Sequence, residues 1–185
     1  LNKKHNSMAC NSLNIGRALP CTSSVGGIKA IYAAPFGSLG ALTIVGGEVT
    51  AIGNDGAVDL YKYDLESSNG LEQAVTASAE NGSVFYEQTL TMTLKKLDLA
   101  SQNELIDLIK SRTQIFIEDY NNNFFLMGAT NGVQSSGGSI TTGQAYGDLS
   151  GFSGLTFSAQ ETLPAYFVVS TVVTGNASAS QIQPA

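Results

Sequence analysis

The chain has 185 residues, enough for one domain with its own core and too few for two comfortable ones. Hydrophobic residues make up 43% and charged residues 13%, about half the usual charged share of roughly 25%, which points to a surface partly covered by partners. A formal net charge of −6 argues against a grip on nucleic acid through excess Lys and Arg, and the apolar runs FFLM and YFVV are far below the ~20 residues of a membrane-spanning helix.

The first seven residues, LNKKHNS, carry no apolar stretch and do not read as a secretory signal. Met8-Ala9-Cys10 reads as a start, so residues 1–7 read as an added extension, and it holds His5, the only histidine. Cys10 and Cys21 bracket CNSLNIGRALPC. With no second cysteine pair and no core histidine, a Zn site lacks ligands. The two thiols either close a disulfide, should the protein meet an oxidising compartment, or stay reduced and half-buried. Residues 1–24 read as an N-terminal arm.

A single domain is expected over residues 25–173. VGGIKAIYAAPF (25–36) predicts its first strand, with Ile28, Ala30 and Tyr32 on one face and Lys29 and Ile31 on the other. Gly46-Gly47 and Gly53-Asn54-Asp55-Gly56 are turn signals between β-favouring runs, predicting a hairpin or small meander. VDLYKYDLE (58–66) is long enough to project beyond the sheet as a partner-contacting arm, or it is an ordinary exposed hairpin; Asp59, Tyr61 and Tyr63 are its candidate subunit contacts. Between 71 and 95 the alternation is cleanest. Val84, Tyr86, Leu90, Met92 and Leu94 point one way, and Glu87, Thr89, Thr91, Thr93 and Lys95 the other, with Gln88 interrupting the apolar face and Phe85 the polar one. A threonine row combines β propensity with absence of charge, suited to a lumen or to plain solvent.

One helix is predicted at about 99–111. Ser101-Gln102-Asn103-Glu104 fits a capping box with Ser101 as the cap, and Leu105, Ile106, Leu108 and Ile109 form the stripe that packs on a sheet. TQIFIEDYNNNFFLMGATNGV then predicts two strands around an Asn-rich turn, and GFSGLTFSAQETLPAYFVV two more split by Leu163-Pro164, together an antiparallel sheet. The stretch from 132 to 151 between them is flexible by composition. It neither runs from a strand into a capped helix nor ends in G-K-[ST], so it is no phosphate cradle; Gly137, Gly138 and Tyr146 are candidates for ordering against a neighbouring subunit. The tail, 174–185, is expected to be mobile.

No catalytic constellation is legible. A nucleophilic triad needs a base, and the only histidine lies in the extension. Glu118 and Asp119 are adjacent on a strand and so point to opposite faces. Neither enzymatic activity, nor a cofactor, nor a bound metal is expected.

The order strand, capped helix, strand, turn, strand, Gly-rich loop and a last segment G-x-x-G-L-T-F-x-x-x-E-x-x-P-A resembles tail tube proteins of long-tailed bacteriophages and related injection machines. Ile115 to Asp119, Phe124 to Gly132 and Gly151 to Val168 carry the resemblance, with Ser83 to Arg112 adding to it. It implies a mainly β, α+β fold: an antiparallel β-sandwich or half-barrel with one flanking helix. It also implies hexameric rings of this subunit, stacked into a conduit for genome DNA. The partners would be further copies and other tail proteins, with DNA passing unbound and no membrane involved. The place would be the virion tail, assembled in the host cytoplasm. Glu87, Thr89, Thr91 and Thr93 would then face the lumen. The sequence departs from the family in showing no long hairpin between rings, which leaves a tail terminator, connector, baseplate hub or decoration protein as alternatives. Outside the virion, the alternative is a secreted or cell-surface β-sandwich binding glycan or protein, which a signal peptide and a Cys10–Cys21 disulfide would favour.

Overall fold

A computed structural model describes residues 16, 17, 19, 24–66, 69–78, 82–147 and 149–182; Cys10 and Cys21, for which disulfide and reduced thiols both stand open, lie outside the described residues, as does His5. In chain order the elements are β1 (Ile28–Pro35), β2 (Leu42–Val45), β3 (Glu48–Ile52), β4 (Tyr61–Asp64), β5 (Gly70–Ser78) and β6 (Ser83–Lys95). They continue with α1 (Leu99–Lys110), β7 (Thr113–Asp119), β8 (Phe124–Met127), β9 (Gln134–Thr141), β10 (Gly151–Glu161), β11 (Tyr166–Val168) and α2 (Ser170–Asn176). The strands form a seven-stranded sheet, β2-β3-β11-β8-β7-β1-β4, and a four-stranded sheet, β5-β6-β10-β9, neither closed into a barrel. The mainly β, two-sheet class expected from the sequence is the one observed.

β1 and β7 are apolar on both faces, so their sheet must be covered twice. On one side Ile31, Ile115, Ile117 and Met127 meet Leu90, Met92, Phe152 and Phe157 of the four-stranded sheet, with Leu105 and Leu108 of α1 closing the end. On the other side Tyr32, Phe116, Leu126 and Val168 meet Leu39, Val49, Leu60, and Val172 and Val173 of α2. At roughly 1.5–3 kcal/mol for each large side chain buried, these two cores dominate the energetics.

The first strand departs from simple alternation. A bulge between Ile28 and Ala30 turns Ile28 onto the face of Ile31 and Ala33, leaving Ala30, Tyr32 and Ala34 on the other. β2 and β3 do form the hairpin signalled by Gly46-Gly47, where positive φ values of 63° and 91° suit a tight turn that only glycine adopts cheaply. The second signal, Gly53 to Gly56, starts no hairpin. It leads instead to β4, which pairs with β1 and so does not project beyond the sheet as residues 58–66 were expected to do.

The block from 113 to 169 is not one sheet. β7, β8 and β11 belong to the larger sheet, and β9 and β10 to the smaller. Leu163-Pro164 therefore lies in a crossover between layers, not in a hairpin turn. Glu161 holds this crossover to the 128–133 loop by accepting from the Thr130 and Asn131 amides at 3.0 and 2.7 Å. β11 also pairs parallel with β3, an exception to the antiparallel expectation. The Gly-rich stretch is half strand: residues 134–141 are β9, whose backbone groups find partners along β10.

Two end caps also differ. Asp98, not Ser101, caps α1, its Oδ1 accepting from the Ser101 amide at 3.0 Å, because the first helical residue is Leu99 and Ser101 already sits in the first turn. The segment expected to be mobile from residue 174 is instead helical at its start, since α2 runs to Asn176. There the Asn176 side chain accepts from the Gly56 amide at 2.7 Å and donates to Asp55 at 2.7 Å. No apolar periodicity announces so short a helix; Val172 and Val173 hold it to the sheet.

Replacing Asp98 with Ala is expected to lower the unfolding free energy by about 1 kcal/mol in denaturant titrations, whereas Ser101→Ala should change it by no more than a few tenths. Equal losses for the two variants would show the cap to be wrongly placed.

Candidate assembly surface

The alternation of SVFYEQTLTMTLK decides which way β6 presents its side chains. Gln88, Leu90 and Met92 are buried against the other sheet, while Glu87, Thr89, Thr91 and Thr93 turn outward, as the sequence pattern predicts. Gln88 is tolerated inside because its amide is satisfied: it accepts from the Gly128 amide at 3.1 Å and donates to the Leu163 carbonyl at 3.3 Å. The register fixes the neighbours of the outward row. Thr89 lies between Glu72 and Ser158, Thr91 between Gly70 and Thr156, and Glu87 between Ala74 and Gln160. The result is a polar face in which Glu72 and Glu87 are the charges until Lys95, which pairs with Glu66 at 3.4 Å.

Both edges of this sheet are open. β5, GLEQAVTAS, has one charged residue, and β9, QSSGGSIT, has none; neither contains Lys or Pro. Edge strands that must stay alone normally carry such residues to discourage pairing. β9 does shift register against β10 around Thr156, which adds local twist.

The β5–β6 pair extends further than the rest of its sheet. Pairing of β10 with β6 stops at Glu161↔Tyr86, while Thr76↔Phe85, Ala77↔Val84 and Ser78↔Ser83 continue beyond it. Val84 on this projection is 53% exposed, and Val75 at its base, opposite Tyr86, is 61% exposed. β5 and β6 thus form a hairpin longer than the sheet they belong to.

The other predicted contact residues do not converge. Asp59 precedes β4, whose Tyr61 and Tyr63 lie on the far edge of the larger sheet, and Tyr63 donates to Glu104 of α1 at 3.2 Å. Gly137 and Gly138 are in β9, and Tyr146 is fully exposed on the connection to β10.

The adjacent carboxylates do separate, each with a structural task. Glu118 is buried and takes Lys29 Nζ at 2.5 Å and the Tyr32 hydroxyl at 2.8 Å. The hydrogen bond and charge of Glu118 raise the Lys29 pKa, while burial, aided by the same carboxylate, pushes the Tyr32 phenol up strongly. Both partners therefore keep their protons. Asp119 instead organises the Asn-rich turn, its Oδ1 accepting from the Asn121 and Asn123 amides at 2.8 and 2.7 Å. Burial raises the Asp119 pKa, but the hydrogen bonds from Asn123 and Asn121 outweigh it and hold the group below the usual carboxylate range.

A groove of about 510 Å³ lies between β4, the end of β6, α1 and residues 180–182. Among the described residues no cluster of three or more His, Cys, Asp or Glu could hold a metal, and no helix is long and apolar enough to cross a membrane. No family model, curated protein or solved structure matches this chain.

The lowered Asp119 pKa gives a signed expectation. Its contribution to stability is present above the unfolded value of about 3.9 and is lost as pH falls through the folded value. In chemical denaturation, the stability gap between the wild type and Asp119→Asn should hold steady above about pH 5 and close towards about pH 2. A gap unchanged at low pH would refute this role.

Proposed function

We propose that this chain is a structural assembly protein whose copies close into rings through the edges of the four-stranded sheet and stack into a tube, as a phage tail tube does. The observation that carries the reading is one sheet with two long, nearly uncharged open edges and an outward face of threonine and serine. Strand direction supports it. β5, β6, β10 and β9 alternate, so β5 and β9 run oppositely. Around a ring axis along the strands, β9 of one copy meets β5 of the next antiparallel, the pairing that a closed ring of copies needs. Closure covers the edges that a free monomer would leave as a hazard.

In the assembled tube the row Glu87, Thr89, Thr91 and Thr93 lines the bore. Uncharged hydroxyls and two acids per copy, with Lys95 paired to Glu66, offer DNA no excess of cations, so the polymer slides past without binding. The β5–β6 projection, with Val84 exposed on it and Val75 exposed at its base, is suited to touch the next ring along the axis. The protein acts in the virion tail, with copies of itself and other tail proteins as partners, and carries out no catalysis.

Negative-stain imaging of the purified protein is expected to show hollow rings or tubes, and a monodisperse monomer at high concentration would overturn the reading. Ile140, 54% exposed on β9, provides a specific test: Ile140→Lys should leave the circular dichroism spectrum unchanged while abolishing rings. Glu87→Lys, placed in a phage carrying this protein, should assemble normally and slow DNA ejection. Unchanged ejection would remove Glu87 from the bore.

A further inference from the structure

The larger sheet also ends in two edges, and they differ in a way that fits one to the other. On the outer side of β4, Leu60 donates to the Asn176 carbonyl at 2.9 Å and accepts from the Ser178 amide at 2.8 Å, a parallel bridge of Leu60 with Ala177. Alternate residues share an edge, so Lys62 and Asp64 present their backbone groups to the same side. The described part of the C-terminal segment, up to residue 182, gives them no backbone partner. Instead the exposed Gln181 side chain reaches across, its Nε2 at 3.4 Å from the Lys62 carbonyl and 3.3 Å from Asp64 Oδ2. A side-chain amide thus stands where a strand's amide would pair.

Beside this edge lies the 510 Å³ groove, with Leu94, Leu105 and Phe152 among its apolar lining. Lys62 and Asp64 neutralise each other at 2.8 Å, so the edge presents no net charge. The opposite end of the sheet is β2, LTIV, which has no charged residue and leaves Ile44 41% and Val45 62% exposed. β2 and β4 have four residues each. With every neighbouring pair in this sheet antiparallel except β11 with β3, β2 runs opposite to β4.

We propose that β2 of a second copy pairs antiparallel with β4, displacing the Gln181 side chain and putting Ile44 or Val45 into the groove. The occupant is a second copy because the same sheet ends in a strand of matching length, direction and apolar character. The inference rests on the ring reading for its closure, since a heterologous contact of this kind either closes or propagates. It makes both sheets continuous between neighbours and gives the C-terminal segment the role of a strap over an edge used on assembly.

Crosslinking tests this contact separately. The two edges of one seven-stranded sheet are about 29 Å apart at 4.8 Å per step, so a short bis-maleimide between residues 44 and 62 can only join different chains. In a background with Cys10 and Cys21 replaced by Ser, the pair Ile44→Cys and Lys62→Cys should give a covalent ladder from dimer upward, absent from either single variant. Val45→Lys should abolish the ladder, and Gln181→Ala should raise its yield about threefold by freeing the edge. Rings seen by negative stain without any ladder would overturn this contact and leave the ring reading standing. A ladder without rings would do the reverse, and a crosslink that stops at the dimer would overturn the contact. Absence of both, in protein whose circular dichroism is native, would overturn both.

Discussion

The fold depends on burying β1 and β7 on both faces. Ile31, Ile115 and Ile117 face one layer, Tyr32 and Phe116 the other, and no two-layer arrangement leaves all of them dry. Two covers follow: the four-stranded sheet with α1 on one side, α2 and the loops around Leu39 and Leu60 on the other. Among the described residues, the polar interruptions inside this scheme are partnered except for the buried Thr113 hydroxyl. Glu118 holds Lys29 and Tyr32, Gln88 bridges Gly128 and Leu163, and Glu161 gathers the Thr130 and Asn131 amides.

That arrangement is what leaves a working surface free. The four-stranded sheet spends one face on the core, and nothing in the described chain covers the other or pairs its edges. The larger sheet has its centre sealed, so only β2 and β4 at its rims remain available to neighbours. Under the proposed assembly, contacts would lie at strand edges, where affinity comes from backbone hydrogen bonds and selectivity from the side chains that flank them. Low charge has the same logic, because repulsive residues along β5, β9 and β2 would oppose pairing.

Local chemistry was legible wherever it depended on neighbours in sequence. The inward and outward rows of β6, the divergence of Glu118 from Asp119, the Gly46-Gly47 turn and the existence of α1 all follow from periodicity or turn preference. Asp98 and Ser101 both have spacings compatible with a cap, since Ser101 and Glu104 also fit a capping box, and only the backbone path decides between them. The bulge that turns Ile28 inward has no sequence signature at all, since Lys29 is simply the residue the strand could spare to solvent.

By itself, then, the chain's sequence determined that it would be mainly β with a capped helix, poor in charge, and furnished with a polar threonine row. Those properties are set by residue type and spacing over a few positions. Only the tertiary structure decided that the Gly-rich stretch becomes β9, that Leu163-Pro164 crosses between layers, and that β9 ends up as an open edge while β4 becomes an edge that Gln181 reaches over. Strand pairing joins residues far apart in the chain, and the competition among eleven strands for two sheets is settled by the packing of their side chains, which no local window contains.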